Sequence, residues 1–336
     1  MSFPLAEWIE RHADSPHNLG QSGMVGSLRS YDRSLRRLPP PDPERLRRTL
    51  ARQVGVGHEA VFLTHGASEA NALVLHHLAV ALRRSLGRAP RLRTPLPEYP
   101  ALRDTGGAAG FDVVGPADAA DVFAMSSPRN PLGTAARPAE IDGFAEGTHA
   151  QLVDETFREF AGLRSIAGAR AAGRWATGSF TKVFGADAIR VGFVVAPPEA
   201  VDPFRQYHGL VTDQVPPHSV ASALALLRDR TTVLGEARGI LRTNERALQE
   251  QFPDASPLAA PLWFDRHPDG DRLARRALRA GVLVCPGSYF GDPNGVRIGL
   301  TRRSFPDDFA AYLAVRRHGA GNDRTLPLVG GRARIP

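Results

Sequence analysis

The sequence predicts an α/β protein, with a large three-layer domain around a mainly parallel β-sheet and a smaller α+β domain. Short apolar segments alternate with helical patterns through the middle of the chain, which is typical of βαβ units. The chain has 336 residues, beyond the roughly 250–300 at which a single hydrophobic core stops growing. We therefore expect the large domain over residues 41–228 and the small domain over residues 1–40 and 229–336.

The large domain is expected to follow the order strand, turn and helix. Its first strand is predicted over residues 60–63, followed by a turn at 64–68 and a helix over 69–86. Further short apolar segments predict strands at 121–125, 151–153, 175–177 and 190–195. Polar residues follow the first three of these segments, in SSPRNPLG, DETF and GSFTK, so the predicted sheet carries polar side chains along one edge.

The C-terminal third of the chain has a different pattern. Residues 217–250 are helical in pattern and long enough to bridge two domains. The strands of the smaller unit are predicted in the segments PLWFD (261–265), GVLVCPGSYFG (281–291) and GVRIGL (295–300). Residues 1–40 show little periodicity and are expected to pack on this unit, and the tail after His318 is weakly patterned.

Composition excludes several classes of protein. Hydrophobic residues make up 42% of the chain and charged residues 23%, as in ordinary globular proteins rather than disordered ones. No apolar stretch reaches the roughly 18 residues that span a bilayer, and the N-terminus lacks the apolar segment of a signal peptide. The single cysteine, Cys285, allows no intrachain disulfide, so we expect a soluble cytoplasmic protein.

The basic residues contain one informative exception. The net charge is +7, but the arginines are scattered and no aromatic residues interleave them, which favours solvated helix faces over a nucleic-acid surface. Lys182 is the only lysine among 42 lysine and arginine residues. Arginine replaces lysine where only charge is needed, but it stays protonated and cannot act as an amine nucleophile. Lys182 is therefore a candidate Schiff-base residue, the alternative being a chance surface lysine.

Five segments place polar residues directly after predicted strands, where ligands of parallel sheets bind. The start of a helix after a small-residue turn favours an anion, and a carboxylate that follows a buried strand needs a partner. The five segments contain Ala67 and Ser68 in GASEA, Tyr99 in PEYP, Asn130 in SSPRNPLG, Asp154 in VDETF, and Ser179 to Lys182 in SFTK with Arg190 eight residues later.

Together these residues are complementary to one ligand, which has a phosphate, a flat ring with a basic nitrogen and a phenolic oxygen, and an aldehyde. Asp154 suits the protonated ring nitrogen, Asn130 the ring oxygen and Lys182 the aldehyde. Tyr99 suits the ring face, and the anion pocket at the helix start suits the phosphate. That ligand is pyridoxal 5'-phosphate, whose chemistry needs a lysine and an acidic partner for the ring nitrogen.

The order of GASEA, PEYP, SSPRNPLG, VDETF, SFTK and VRIGL resembles the pyridoxal-phosphate-dependent class I/II aminotransferases of fold type I, over about residues 40–300. The similarity is greatest to their histidinol-phosphate aminotransferase-like branch. The resemblance implies that Lys182 and Asp154 are catalytic. It also implies that the cofactor is held by Ala67, Ser68, Tyr99, Asn130, Asp154, Phe157, Ser179, Lys182 and Arg190.

The same resemblance implies how a substrate binds. Arg297 in VRIGL would hold the substrate α-carboxylate with its two-pronged guanidinium, a geometry that lysine cannot supply. The N-terminal segment around Gly20 would close over the substrate. The partners implied are a small amino acid and a 2-oxo acid, with no nucleic acid and no membrane, in a homodimer.

Two positions depart from the family pattern. Family members usually carry tyrosine three residues after the aspartate, and this chain has Phe157. Phenylalanine there is similar to the threonine-phosphate decarboxylase relatives. Relatives also place a tyrosine near LPPPDP that reaches the partner's cofactor phosphate, whereas this chain has Pro40, and Tyr31 is the candidate substitute.

The leading functional hypothesis is an aminotransferase that uses a Lys182 Schiff base. The alternative on the same fold is a decarboxylase or another enzyme acting at the substrate α-carbon. A non-catalytic regulator would need an added DNA-binding module, for which the chain has no room.

We expect no metal site, because His76 and His77 are read as one helix face and no Cys/His cluster has ligand spacing.

Overall fold

A seven-stranded sheet lies at the centre of the computed structural model, which describes residues 3–169, 172–255 and 257–317. The expected tail after His318 lies outside the described residues. The strands are β1 (His17–Asn18), β2 (Val61–Thr64), β3 (Arg91–Arg93), β4 (Asp112–Val113), β5 (Val122–Ser126), β6 (Ala150–Asp154), β7 (Arg174–Ser179), β8 (Gly192–Val195), β9 (Leu262–Arg266), β10 (Val282–Leu283), β11 (Cys285–Pro286) and β12 (Gly295–Gly299).

Helices surround this sheet and a smaller one. They are α1 (Pro4–Arg11), α2 (Arg29–Leu35), α3 (Pro43–Val54), α4 (Ala67–Leu86), α5 (Pro100–Ala109), α6 (Pro138–Phe144), α7 (Val201–Val211), α8 (Pro217–Arg228), α9 (Arg230–Gln251), α10 (Gly270–Arg279) and α11 (Phe305–Arg317). In the parts of the chain that the structure describes, no helix is long and apolar enough to cross a membrane.

The strand order of the large sheet is β2-β8-β7-β6-β5-β3-β4. Strand β8 is antiparallel to both neighbours, while the pairs from β7 to β4 are parallel. Apolar side chains cover both faces of this sheet, as a mainly parallel sheet requires. The α/β fold with a mainly parallel sheet is therefore confirmed.

A second, antiparallel sheet has the order β11-β12-β9. The N-terminal segment joins this part of the molecule, because β1 pairs in parallel with β10. Leu5 of α1 packs against Cys285 and Phe290. Helix α2, in contrast, contacts α9. There the Glu236 carboxylate accepts a hydrogen bond from the backbone N–H of Ser30 at 2.9 Å. The division into domains at residues 41 and 229 stays a prediction.

Three features differ from the sequence-based expectations. The helical region 217–250 is two helices that meet at Asp229, and the strand expected from Arg190 begins at Gly192. Helix α5 was missed because Gly106 and Gly107 weaken its helical pattern. Gly106 is needed there, since a Cβ atom at this position would overlap the Leu92 side chain of β3.

Candidate active site

A cavity lies at the carboxyl ends of β5, β6 and β7, beside the start of α4. This is the place where an open parallel sheet collects ligand-binding groups. Its described lining includes all nine residues that the sequence predicts around the cofactor: Ala67, Ser68, Tyr99, Asn130, Asp154, Phe157, Ser179, Lys182 and Arg190. The lining also contains residues that sequence reasoning missed, among them Ser22, Asn71, Ser126 and Thr156.

The anion-binding end of the cavity is the N-terminus of α4. The helix begins directly after Gly66, and no side chain caps its free N–H groups. Gly66 has φ +98°, and a Cβ atom there would lie 2.6 Å from Nη2 of Arg190. Arg190 itself has φ +46°, a left-handed conformation that costs energy for a side chain other than glycine. The turn therefore places a guanidinium over an uncapped helix start, which favours a phosphate.

A chain of hydrogen bonds orients the carboxylate of Asp154. Its Oδ2 accepts from Nδ2 of Asn71 at 2.8 Å, and its Oδ1 accepts from the backbone N–H of Thr156 at 3.0 Å. Asn71 in turn accepts from the hydroxyl of Thr177 at 2.6 Å. All these groups are buried. The signal for Asn71 in the sequence is a lone amide on the apolar face of α4, between Ala70 and Val74.

Lys182 points into the same cavity. Its Nζ donates to Oγ of Ser22 at 3.0 Å. Burial lowers the pKa of Lys182 to about 8, and the nearby charge of Arg297 acts in the same direction, while Asp154 opposes it. About one tenth of this amine is therefore neutral, and nucleophilic, at pH 7, far more than for a lysine with its ordinary pKa.

The N-terminal segment lies directly on Lys182. The backbone N–H of Met24 donates to the Lys182 carbonyl at 2.9 Å. A Cβ atom at Gly23 would come within 3.3 Å of Cδ of Lys182, which is tighter than ordinary contact. Ser22 thus lines the cavity, Gly23 and Met24 lie directly against Lys182, and glycine at position 23 avoids a tight contact with the lysine side chain.

Arg297 and Gly20, the two predicted substrate-binding residues, contact each other beside the cavity. Arg297 is 1% exposed and donates from Nη2 to the carbonyl of Gly20 at 2.6 Å. Its Nη1 lies 3.3 Å from Oδ1 of Asn130, which faces the cavity. The guanidinium carbon is 5.1 Å from the ring centre of Phe290. Its Nε is buried without a hydrogen-bond partner.

Two aromatic residues complete the lining. Burial raises the pKa of Tyr99 to about 12, with Asp154 adding to the effect, so its phenol stays protonated. Phe3 packs edge-on against Tyr99, with ring centres 6.0 Å apart. Phe157 is 4% exposed and presents a ring without a hydroxyl group to the cavity.

These groups fit pyridoxal 5'-phosphate. The cavity combines an uncapped helix start for a phosphate, a buried carboxylate held by neutral donors, and an amine with a lowered pKa. The hydroxyl of Thr156 is buried in the lining without a hydrogen-bond partner, as expected of a group that a ligand satisfies. Among the described residues no cluster of three or more metal-ligating side chains occurs.

The fold and the cavity define a pyridoxal-phosphate-dependent enzyme of fold type I. The family described as aminotransferase class I and II matches residues 112–304, and the chain belongs to this family. Pyridoxal 5'-phosphate is accordingly its cofactor. The expected similarity to histidinol-phosphate aminotransferases is confirmed, because a protein of that name is 28% identical to this chain.

The chain is similar to relatives with different names. It is 28% identical to a capreomycidine synthase of Streptomyces vinaceus, over 95% of this chain and 96% of that protein. It is also 28% identical to a histidinol-phosphate aminotransferase of Xanthomonas campestris, over 77% and 78%. The solved structure of the pyridoxal-phosphate-dependent cyclase OrfR has a TM-score of 0.75 at 22% identity, covering 94% of this chain and 98% of that one.

Proposed function

We propose that the protein is an aminotransferase that moves an amino group between an α-amino acid and a 2-oxo acid. One observation carries the proposal. The only lysine of the chain lines the cavity, and the buried guanidinium of Arg297 lies beside it in contact with Asn130, which also lines it. A nucleophilic amine and a two-pronged carboxylate clamp are the two groups that an amino-acid substrate requires.

Each residue that would hold the cofactor suits a different part of it. Asp154 would bind the ring nitrogen, Asn130 the ring oxygen, and Tyr99 the ring face. The phosphate would lie at the start of α4, where backbone N–H groups are free and Ser68, Ser179 and Arg190 line the cavity. When bound, pyridoxal phosphate supplies an electron sink that weakens the bonds to the substrate α-carbon.

Lys182 would then act as the acid and base at the α-carbon. Its pKa of about 8 lies close to neutral pH, so Nζ both accepts and returns a proton readily. The Ser22 hydroxyl, 3.0 Å away, would hold Nζ when the amine is free. The segment of residues 22–24 covers the lysine and would exclude water from it.

Arg297 would bind the substrate carboxylate. The guanidinium is fixed by the Gly20 carbonyl, by Asn130 and by the Phe290 ring, so it is oriented before the substrate arrives. Binding a carboxylate also provides the partner that its buried Nε lacks. We expect the working form to be a homodimer, which sedimentation of the purified protein would test.

A second candidate function is a different reaction at the same α-carbon. The alignment with capreomycidine synthase runs over nearly the whole of both chains, and the similar fold of OrfR is that of a protein named a cyclase, so ring closure is the alternative. The phenylalanine at position 157 supports a decarboxylase in the same way. Both alternatives would use the same lysine and the same cofactor.

One experiment separates these reactions. The enzyme loaded with cofactor is mixed with a panel of α-amino acids, while the visible absorbance of the bound cofactor and the products are followed. Transamination predicts loss of the visible band with one equivalent of 2-oxo acid, and regain of the band on adding a second 2-oxo acid. Release of carbon dioxide or a cyclic product without 2-oxo acid would contradict the aminotransferase proposal. The K182R variant serves as the inactive control.

A further inference from the structure

Glu98 is a buried acid that the proposed mechanism does not use. It precedes α5 in the PEYP segment and has no exposed surface. Its carboxylate accepts hydrogen bonds from the backbone N–H of Tyr99 at 2.7 Å and from the backbone N–H of Ser126 at 3.1 Å. The hydroxyl of Ser126 donates to the same carboxylate. Three donors from two separate segments therefore meet on one side chain.

Both of these segments face the cofactor cavity. Tyr99 and Ser126 line it directly. Oγ of Ser126 also accepts from the backbone N–H of Asn130 at 2.9 Å, so the position of Asn130 depends on the same carboxylate through one intermediate group. Glu98 thus connects the residue proposed for the ring face with the residue proposed for the ring oxygen.

The connection continues to the substrate side. The backbone N–H of Glu98 donates to the carbonyl of Phe290 at 3.0 Å. The Phe290 ring lies against the guanidinium of Arg297, and Nη1 of Arg297 lies 3.3 Å from Oδ1 of Asn130. These contacts form a closed ring through Glu98, Ser126, Asn130, Arg297 and Phe290.

A carboxylate in this place is costly. Burial raises the pKa of Glu98 to about 7, although its three donors and the charge of Arg129 favour the ionised form. An apolar side chain of similar volume would fill the same space without the loss of hydration. Such a side chain would leave the N–H groups of Tyr99 and Ser126 without acceptors, and the two segments would lose their common anchor.

We propose that Glu98 is a positioning residue that fixes Tyr99 and Asn130 against the cofactor. It thereby also fixes them relative to Arg297, the proposed carboxylate clamp. The inference rests on the proposed placement of cofactor and substrate in this cavity. Glu98 acts through the groups that it holds and touches neither ligand.

The test uses three variants of the full-length, cofactor-loaded enzyme. Glu98→Gln keeps the side-chain volume but has only one acceptor oxygen, so an amide N–H must face one of the donors. Glu98→Asp keeps both acceptor oxygens. Asp265→Asn is the matched control, because Asp265, on β9 of the smaller sheet, is 2% exposed and accepts hydrogen bonds from Tyr312 and from two nitrogens of Arg316, both on α11.

Four quantities are measured on the folded proteins: the Kd for pyridoxal phosphate, the visible absorbance maximum of the bound cofactor, and the KM and kcat for the amino acid. We expect Glu98→Gln to weaken cofactor binding about tenfold, shift the absorbance maximum and raise KM. We expect Glu98→Asp to recover part of each loss. Asp265→Asn should lower the melting temperature and leave all four quantities unchanged.

Two results would overturn the inference: wild-type affinity and spectrum in folded Glu98→Gln, or identical changes in Asp265→Asn. If Glu98→Gln does not fold, Ser126→Ala removes both hydrogen bonds of the hydroxyl, the one to Glu98 and the one from Asn130, and must weaken cofactor binding and shift the spectrum. A wild-type protein that binds no pyridoxal phosphate would contradict the proposed function as well. If the wild-type protein transaminates and Glu98→Gln has the same cofactor affinity, spectrum and kinetic constants as the wild type, only the positioning role is contradicted.

Discussion

The side-chain amide of Asn71 lies 2.8 Å from Oδ2 of Asp154 and fixes that carboxylate toward the cavity. The amide is itself fixed, because its Oδ1 accepts from the Thr177 hydroxyl at 2.6 Å. Helix α4 and strand β7 thereby hold a carboxylate that belongs to β6. The same helix supplies the anion-binding turn at its first residue, so one element sets both ends of the proposed cofactor site.

Replacing Asn71 with alanine should lower kcat about tenfold, since Asp154 loses a buried hydrogen bond to a charged acceptor, and should cost about 1.5–3 kcal/mol of stability. Steady-state kinetics and thermal unfolding measure the two effects. Asn244→Ala is the matched control, because Asn244 is 1% exposed and its amide donates to two carbonyls away from the cavity. It should lose stability and keep its kcat. Equal loss of kcat in both variants would contradict a specific role for Asn71.

The rate at which the cofactor-free protein captures pyridoxal phosphate should rise with pH through about 8. Burial lowers the pKa of Lys182 from 10.5 to about 8, and only the neutral amine attacks the aldehyde. The absorbance increase after rapid mixing gives this rate at each pH. A rate that continues to rise toward pH 10.5 would show that the lysine has an ordinary pKa.

The same shift in the pKa of Lys182 predicts a change of stability in the cofactor-free protein. Between pH 8 and 10.5 the unfolded lysine binds a proton that the folded lysine has lost. The contribution of this group to the free energy of unfolding therefore rises with pH across that range. Below pH 8 the amine is protonated in both states, and the folded state bears the full cost of burying its charge. Comparing urea unfolding of the wild type with that of Lys182→Met at each pH isolates the contribution. Parallel pH profiles would contradict the buried, neutral amine.

Adding a hydroxyl at position 157 should change the acid–base behaviour of the bound cofactor. Phe157 lines the cavity and is 4% exposed, so Phe157→Tyr places a phenol against the cofactor. A donor to the ring oxygen stabilises the deprotonated form of the lysine–cofactor linkage, and the midpoint of its absorbance titration should move to lower pH. Phe160→Tyr, on the neighbouring ring, is the control. An unmoved midpoint in Phe157→Tyr would show that this position does not face the ring oxygen.

Lysine at position 297 should raise the KM for the amino acid at least about tenfold and change kcat less, because an ammonium cannot make the two parallel hydrogen bonds of a guanidinium. Initial rates over a range of substrate concentration separate the two constants. Arg266→Lys, on the adjacent strand β9 and exposed, should behave as the wild type. An unchanged KM in Arg297→Lys would remove Arg297 from the substrate site.

The sequence indicated which strands end near one another because the carboxyl ends of parallel strands share one edge of a sheet. Asp154 and Ser179, which end β6 and β7, therefore line the same cavity in the structure, as the pattern of segments suggests. The rarity of lysine singled out Lys182 without any knowledge of its surroundings. The roles of these residues stay predictions, but their convergence on one cavity is now a structural fact.

The contacts that orient those residues were not readable from the sequence. The hydrogen bond between Ser22 and Lys182 joins positions 160 residues apart, and that between Asn71 and Thr177 joins positions 106 apart. Each of these side chains lies in an ordinary local pattern, so only the three-dimensional packing shows its partner. For the same reason, nothing in the sequence distinguishes Glu98 from the rest of the PEYP segment.

We expect Lys182 to bind the cofactor covalently in this cavity, and borohydride reduction of the loaded enzyme shows where the cofactor is attached. The loaded enzyme is reduced, its intact mass is measured, and the labelled peptide is sequenced. We expect one reduced cofactor per chain, attached to Lys182, and none in Lys182→Arg, which keeps the charge but not the nucleophile. An unlabelled wild-type chain, or a label on the α-amino group alone, would contradict it.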